Sequence, residues 1–96
     1  SAHEYACDAG VLHSCNYASV VYLNGKLVQK DVKKAESLAK KACRDIKKDK
    51  SECLALGYVY FDTDRFEEAS KIFWELCPAE IEACKYAPFA LIEQKD

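Results

Sequence analysis

The stretch "ACRDIKKDKSEC", Ala42 to Cys53, places two cysteines at the ends of a strongly charged segment, with nine residues between them. The same arrangement occurs in "CDAGVLHSC" (Cys7 to Cys15) and "CPAEIEAC" (Cys77 to Cys84), with seven and six residues between partners. The first members of the three pairs, Cys7, Cys43 and Cys77, lie 36 and 34 positions apart. A period of that length is a mark of repeat architecture, in which each repeat is one supersecondary unit.

Aligning the second cysteines sets "CNYASVVY" (Cys15 to Tyr22) over "CLALGYVY" (Cys53 to Tyr60), with "CKYAPFAL" (Cys84 to Leu91) a looser match. The cysteine and the fourth, fifth and eighth positions fall on one helical stripe. Aligning the first cysteines sets "KAESLAKKAC" over "EASKIFWELC", with Ala35 and Ala69 each eight residues before the cysteine. Ala35, Leu38, Ala39, Ala42 and Ile46 form one stripe, and Phe66, Ala69, Ile72, Phe73 and Leu76 the other. Asp31 and Asp64 stand where N-caps are expected.

The unit is therefore helix A, loop, helix B. The pattern predicts a short N-terminal helix, then helices near 12–23, 31–47, 52–61, 65–77 and 80–92. "NGKLVQK" (Asn24 to Lys30) is the first A–B loop, and Asp62 and Thr63 form a much shorter second one. Pro88 falls inside the last helix and is expected to break or kink it. The charged segments between paired cysteines are turns from a helix B to the next helix A. The whole of 1–96 reads as one all-α domain, about two full repeats with partial ends, starting from what looks like the end of a helix B ("EYAC", Glu4 to Cys7).

Composition agrees with a globular chain: 96 residues, 50% apolar and 31% charged, with a net charge of −2 that gives no general attraction for nucleic acid. No apolar run approaches the ~20 residues that span a membrane, and no segment reads as a signal peptide. The sequence contains no methionine, so its first residue is expected to be a processed or engineered end. Regularly spaced cysteines in a small domain favour disulfides and an oxidising compartment. Six cysteines allow fifteen pairings, and sequence by itself does not choose among them. A metal site is not expected, because there is no C-x-x-C and His3 and His13 lie outside any ligand pattern. No cofactor motif is visible.

The residues just quoted carry a resemblance. "LGYVY" (Leu56 to Tyr60), "YLNGKLVQKDVKKA" (Tyr22 to Ala35) and a cysteine pair around each B-to-A turn resemble Sel-one-like repeats, relatives of tetratricopeptide repeats. The cysteine pairs look most like the helicobacter cysteine-rich subgroup. The resemblance implies an α/α superhelix, a solenoid of helix-turn-helix repeats with a disulfide across each B-to-A turn. With the repeat alignment, it leads to the expected bridges Cys7–Cys15, Cys43–Cys53 and Cys77–Cys84, each contributing roughly 2–3 kcal/mol in the chain-entropy model. It further implies a non-enzymatic module that binds another protein or peptide, as an adaptor or an immunity-type inhibitor of a toxin. Its place would be the periplasm or outside the cell, with the mitochondrial intermembrane space as the alternative. The subgroup's link with penicillin binding and weak hydrolysis is the alternative function. In that light "SLAK" (Ser37 to Lys40) matches S-x-x-K, but S-D-N and K-T-G are missing, so no catalytic residue is expected.

Two surfaces are candidates for a partner. Lysine doublets at 33/34, 40/41 and 47/48 recur every seven residues and would draw a basic face along one helix, led by Lys33, Lys40 and Lys47. From Lys30 to Lys50 nine basic residues face four acidic ones, whereas from Ser51 to Asp96 four face ten. Such a face fits an acidic protein partner or an anionic surface; nucleic acid is not expected, since no aromatics interleave with the lysines. The second candidate is aromatic. The third and sixth positions of each helix A, counted from its cysteine, are expected to point away from helix B: Tyr17 and Val20, Ala55 and Tyr58, Tyr86 and Phe89. Trp74 occupies the helix B position of Lys40, off the core stripe. Tyr17, Tyr58, Trp74 and Tyr86 are therefore the expected partner-binding residues.

Overall fold

The computed structural model describes the backbone of residues 2–94 and the side chains of residues 4–87. Every regular element among them is helical: α1 (Ala2–Asp8), α2 (Leu12–Asn24), α3 (Val32–Ala42), α4 (Leu54–Asp62), α5 (Phe66–Leu76) and α6 (Ile81–Gln94), with a 3₁₀ turn at Ser51–Cys53 leading into α4. Helices α2 and α3 pack as a hairpin, as do α4 and α5, while α1 lies on α2 and α6 on α5. Both α2 and α3 touch α4, which joins the hairpins into one body.

The apolar stripes do what their spacing demands. Ala35, Leu38, Ala39 and Ala42 are buried on α3, and Ala69, Ile72, Phe73 and Leu76 on α5. The Asp31 carboxylate caps α3, accepting the Lys34 backbone N–H at 3.0 Å. Gly25 ends α2 in the left-handed region (φ 70°), its N–H donating to the Val21 carbonyl. A Cβ there would stand 2.9 Å from Lys30 Cβ, so the glycine is needed on both counts.

Three boundaries depart from expectation. Helix α3 stops at Ala42 instead of running to Lys47, because Cys43 leaves helical geometry (φ −93°, ψ 81°) at the bridge to Cys53. Asp45 then accepts the Lys47 backbone N–H at 3.0 Å, closing a local turn that competes with helix. Asp64 does not cap α5. It takes a left-handed φ of 62° to reverse the chain, and Arg65, without a side-chain cap bond, occupies the N-cap. Helix α6 is not ended by Pro88; it continues to Gln94. The turns before the proline are secured by the Cys77–Cys84 bridge and by fully buried Ala83 and Ala87.

All six cysteines are paired as Cys7–Cys15, Cys43–Cys53 and Cys77–Cys84, with Cα–Cα distances of 4.6, 4.5 and 4.9 Å. Each bridge ties the end of one helix to the start of the next. The main core runs from Ala35 and Ala39 through Val59, Phe73 and Leu76 to Ala87. A smaller cluster forms around Cys7, Cys15, Ala18, Leu38 and Ala42, and Tyr22 packs against both.

Candidate interaction groove

An open groove of about 410 Å³ lies where α2, α4 and α6 come together. Val20, Leu23 and Asn24 of α2 line it together with Tyr58, Phe61 and Asp62 of α4 and Tyr86 of α6, whose rings make an aromatic wall. The aromatic wall is built by ring contacts. The Tyr58 ring meets Tyr86 edge-on at 5.2 Å, and Phe61 meets Tyr86 edge-on at 5.6 Å. Behind them, Phe73 of α5 stacks on Tyr86 at 5.4 Å.

Burial pushes the Tyr58 hydroxyl up to a pKa of about 12, and the charges of Glu82 and Glu80 and the Tyr86 phenol push the same way. Tyr58 is therefore neutral at physiological pH, and its hydroxyl keeps a proton to donate.

The structure brings two of the four expected aromatics together. Tyr58 and Tyr86 share the groove, and Val20, expected on the same face, lines it with them. Tyr17 and Trp74 are not part of its lining; they are 46% and 49% exposed, on α2 and α5. Phe89 lies outside the residues whose side chains are described, as does His3. The expectation that the third and sixth positions turn away from helix B is overturned for Tyr58 in the second hairpin. Ala55 is fully buried, and the Tyr58 ring lies 5.8 Å from Phe73 of α5. Gly57, beside Tyr58, leaves the space into which the Phe73 ring reaches.

The basic face is broken up. Lys47 is off α3. Lys34 Nζ is 2.7 Å from Glu4 and sits over the Tyr22 ring at 4.7 Å. Lys40 is 3.1 Å from Glu36 and Lys41 3.6 Å from Asp8. A second cleft, about 390 Å³, runs beside the Cys7–Cys15 bridge and is lined in part by Lys40, Lys41 and Arg44. Ser37 is exposed, in a shallow depression it shares with Lys33, Glu36 and Lys40, and His13 is exposed as well. Among the described residues no group of three or more His, Cys, Asp or Glu side chains could hold a metal ion, and no helix is long and apolar enough to cross a membrane.

Sequence reasoning missed the polar ties between hairpins. Asn16 Oδ1 accepts the Ala55 N–H at 3.0 Å, linking α2 to the start of α4. Arg65 grips Glu36 of α3 through both terminal nitrogens, at 3.2 and 2.6 Å, and its guanidinium lies 4.6 Å from the Tyr60 ring centroid. The available signal was charge out of place: Glu36 is the acidic residue inside lysine-rich α3, and Arg65 precedes Glu67 and Glu68.

Compared with known proteins, the chain matches no family model, no curated protein and no solved structure.

Proposed function

We propose that this chain is a protein-interaction module, a short α/α superhelix of the Sel-one-like kind, that seats a partner segment in the groove of α2, α4 and α6. The observation that carries the reading is the groove itself, an aromatic wall assembled from successive helices A and left open to solvent. Tyrosine-rich concave surfaces supply large contact area at low conformational cost. Three disulfides fit an oxidising compartment, and the proposed setting is the periplasm or the extracellular space. The bridges hold the helices in place without a large core, so the groove is presented pre-formed.

The test is site-directed crosslinking in the native compartment. A photo-reactive amino acid at Asn24, in the groove lining, is expected to capture a discrete protein, and the same group at Ser37 on α3 is not. Capture only from Ser37 overturns the groove reading. Covalent labelling of Ser37 by a fluorescent penicillin would replace it with an enzymatic one.

A further inference from the structure

We propose that the groove's occupant is a cationic segment, an arginine or lysine side chain of the partner laid against Tyr58 and Tyr86 and answered by the carboxylates of Asp62 and Glu82. This rests on the groove reading above and adds the partner's chemistry. The lining includes one carboxylate and no basic residue. Aromatic ring faces carry the negative part of the quadrupole and attract cations, more strongly where water is reduced. Asp62, in the lining, already holds a cation from the chain itself, Lys30 at 3.4 Å, and Glu82, whose charge acts on the Tyr58 hydroxyl, holds Lys85 at 3.7 Å. Both pairs are well exposed, so each is weak and exchangeable. A guanidinium, planar and able to bond a carboxylate with two N–H groups while stacking on a ring, is the better ligand for the same positions. The upward push of Glu82 and Glu80 on the Tyr58 hydroxyl agrees with a negative potential at the wall. At longer range, the eight acidic residues against three basic ones from Ser51 to Ala87 favour the approach of cations to this part of the chain. The cleft beside Cys7–Cys15, with Lys40, Lys41 and Arg44, has the opposite character and would take an acidic segment instead.

The experiment is an amide chemical-shift titration of the disulfide-intact protein with three short amidated peptides. One alternates leucine and arginine, a second replaces arginine by citrulline, and a third replaces it by glutamate. The arginine peptide is expected to shift amides of Val20 to Asn24, Tyr58 to Asp62 and Tyr86, and to bind about tenfold tighter than its citrulline twin. Asp62→Asn combined with Glu82→Gln should remove most of that difference while leaving the remaining spectrum unchanged. Equal binding of the citrulline peptide in the groove overturns the cationic occupant and leaves the groove reading standing. Preferred binding of the glutamate peptide near Lys40, Lys41 and Arg44, or no groove shift with any peptide, overturns both.

Discussion

Gly57 lies directly against the Phe73 ring: a Cβ placed on it would stand 2.6 Å from Phe73 Cε1 and 3.0 Å from Cζ. Phe73 is fully buried, so its ring has nowhere to retreat. Alanine is the better helix former by about 1 kcal/mol, and a site with room would be stabilised by it. Here the overlap decides the sign. Gly57→Ala is expected to destabilise by about 1–3 kcal/mol, the usual range for overpacking. The check is a urea unfolding midpoint. In a Phe73→Leu background the same substitution should become neutral or favourable.

The Glu36–Arg65 pair makes stability depend on acid. Arg65's hydrogen bonds, with help from Lys40, hold the Glu36 carboxyl at about 2, against an ordinary value of 4.5. A group whose pKa is lowered by folding stabilises fully above its unfolded value and loses that contribution as pH falls through the folded one. The window is therefore from about pH 4.5 down to about 2. The pair is partly solvated, so its worth is expected to be about 1–2 kcal/mol, below the ideal linkage figure. Melting curves between pH 6 and 2 should show Glu36→Gln with a lower Tm at neutrality and a shallower fall on acidification. Parallel curves for the two proteins would refute this account.

The fold was legible where physics is local. The two aligned helical stripes placed six helices, because a buried stripe is a property of adjacent residues, while the expected bridges needed the repeat alignment and the resemblance it carries as well. What escaped was specified between hairpins. Ser19 and Gly57 are aligned positions, yet they solve one packing problem in two ways. Ser19 donates its hydroxyl to the Ala35 carbonyl at 2.6 Å, whereas Gly57 makes room for a phenyl ring. The groove was half legible: aligning the cysteines in the sequence picks out Val20, Tyr58 and Tyr86, but the meeting of the two tyrosines around Phe73 depends on how α4, α5 and α6 stack. Trp74, chosen by residue type and register, shares no surface with them in the groove lining.

Removing the central bridge tests the clamp. Cys43 and Cys53 close the longest of the three disulfide loops, with ten positions separating them, and Cys53 is fully buried. Replacing both with alanine should cost about 3 kcal/mol from the entropy regained by the unfolded chain. The buried bridge also supports the start of α4, where Asn16 meets the Ala55 N–H at 3.0 Å. Amide exchange should therefore accelerate first at Cys53 to Gly57. Unchanged exchange there, with a loss under about 1 kcal/mol, would mean that packing holds the turn without the crosslink.

Asn16 itself isolates the tie between α2 and α4. Asn16→Ala leaves the Ala55 N–H, in a fully buried residue, without its acceptor. An unsatisfied buried donor costs about 1–3 kcal/mol, and Asn16→Asp should retain most of the bond. Equilibrium unfolding of the two variants beside the native chain separates them. Equal losses would point to packing around Asn16 instead of the hydrogen bond.

The exposed and the packed aromatics should respond differently to truncation. Trp74 is 49% exposed on α5, so truncating it removes little packing, and Trp74→Ala should change stability by less than about 1 kcal/mol. Tyr58 is wedged between Phe73 at 5.8 Å and Tyr86 at 5.2 Å. Tyr58→Ala opens a cavity in that cluster and should cost about 2–4 kcal/mol. Tyr58→Phe keeps the ring and loses only the hydroxyl, so it should unfold within about 1 kcal/mol of the native chain. Binding then reads the groove without the confusion of folding. Affinity for a groove-bound partner should be nearly unchanged in Trp74→Ala. In Tyr58→Phe it should weaken only where a carbonyl of the partner accepts a hydrogen bond from the hydroxyl, since an arginine or lysine side chain laid on the ring has no acceptor. A large binding loss in well-folded Trp74→Ala would place the contact surface on α5 and displace it from α2, α4 and α6.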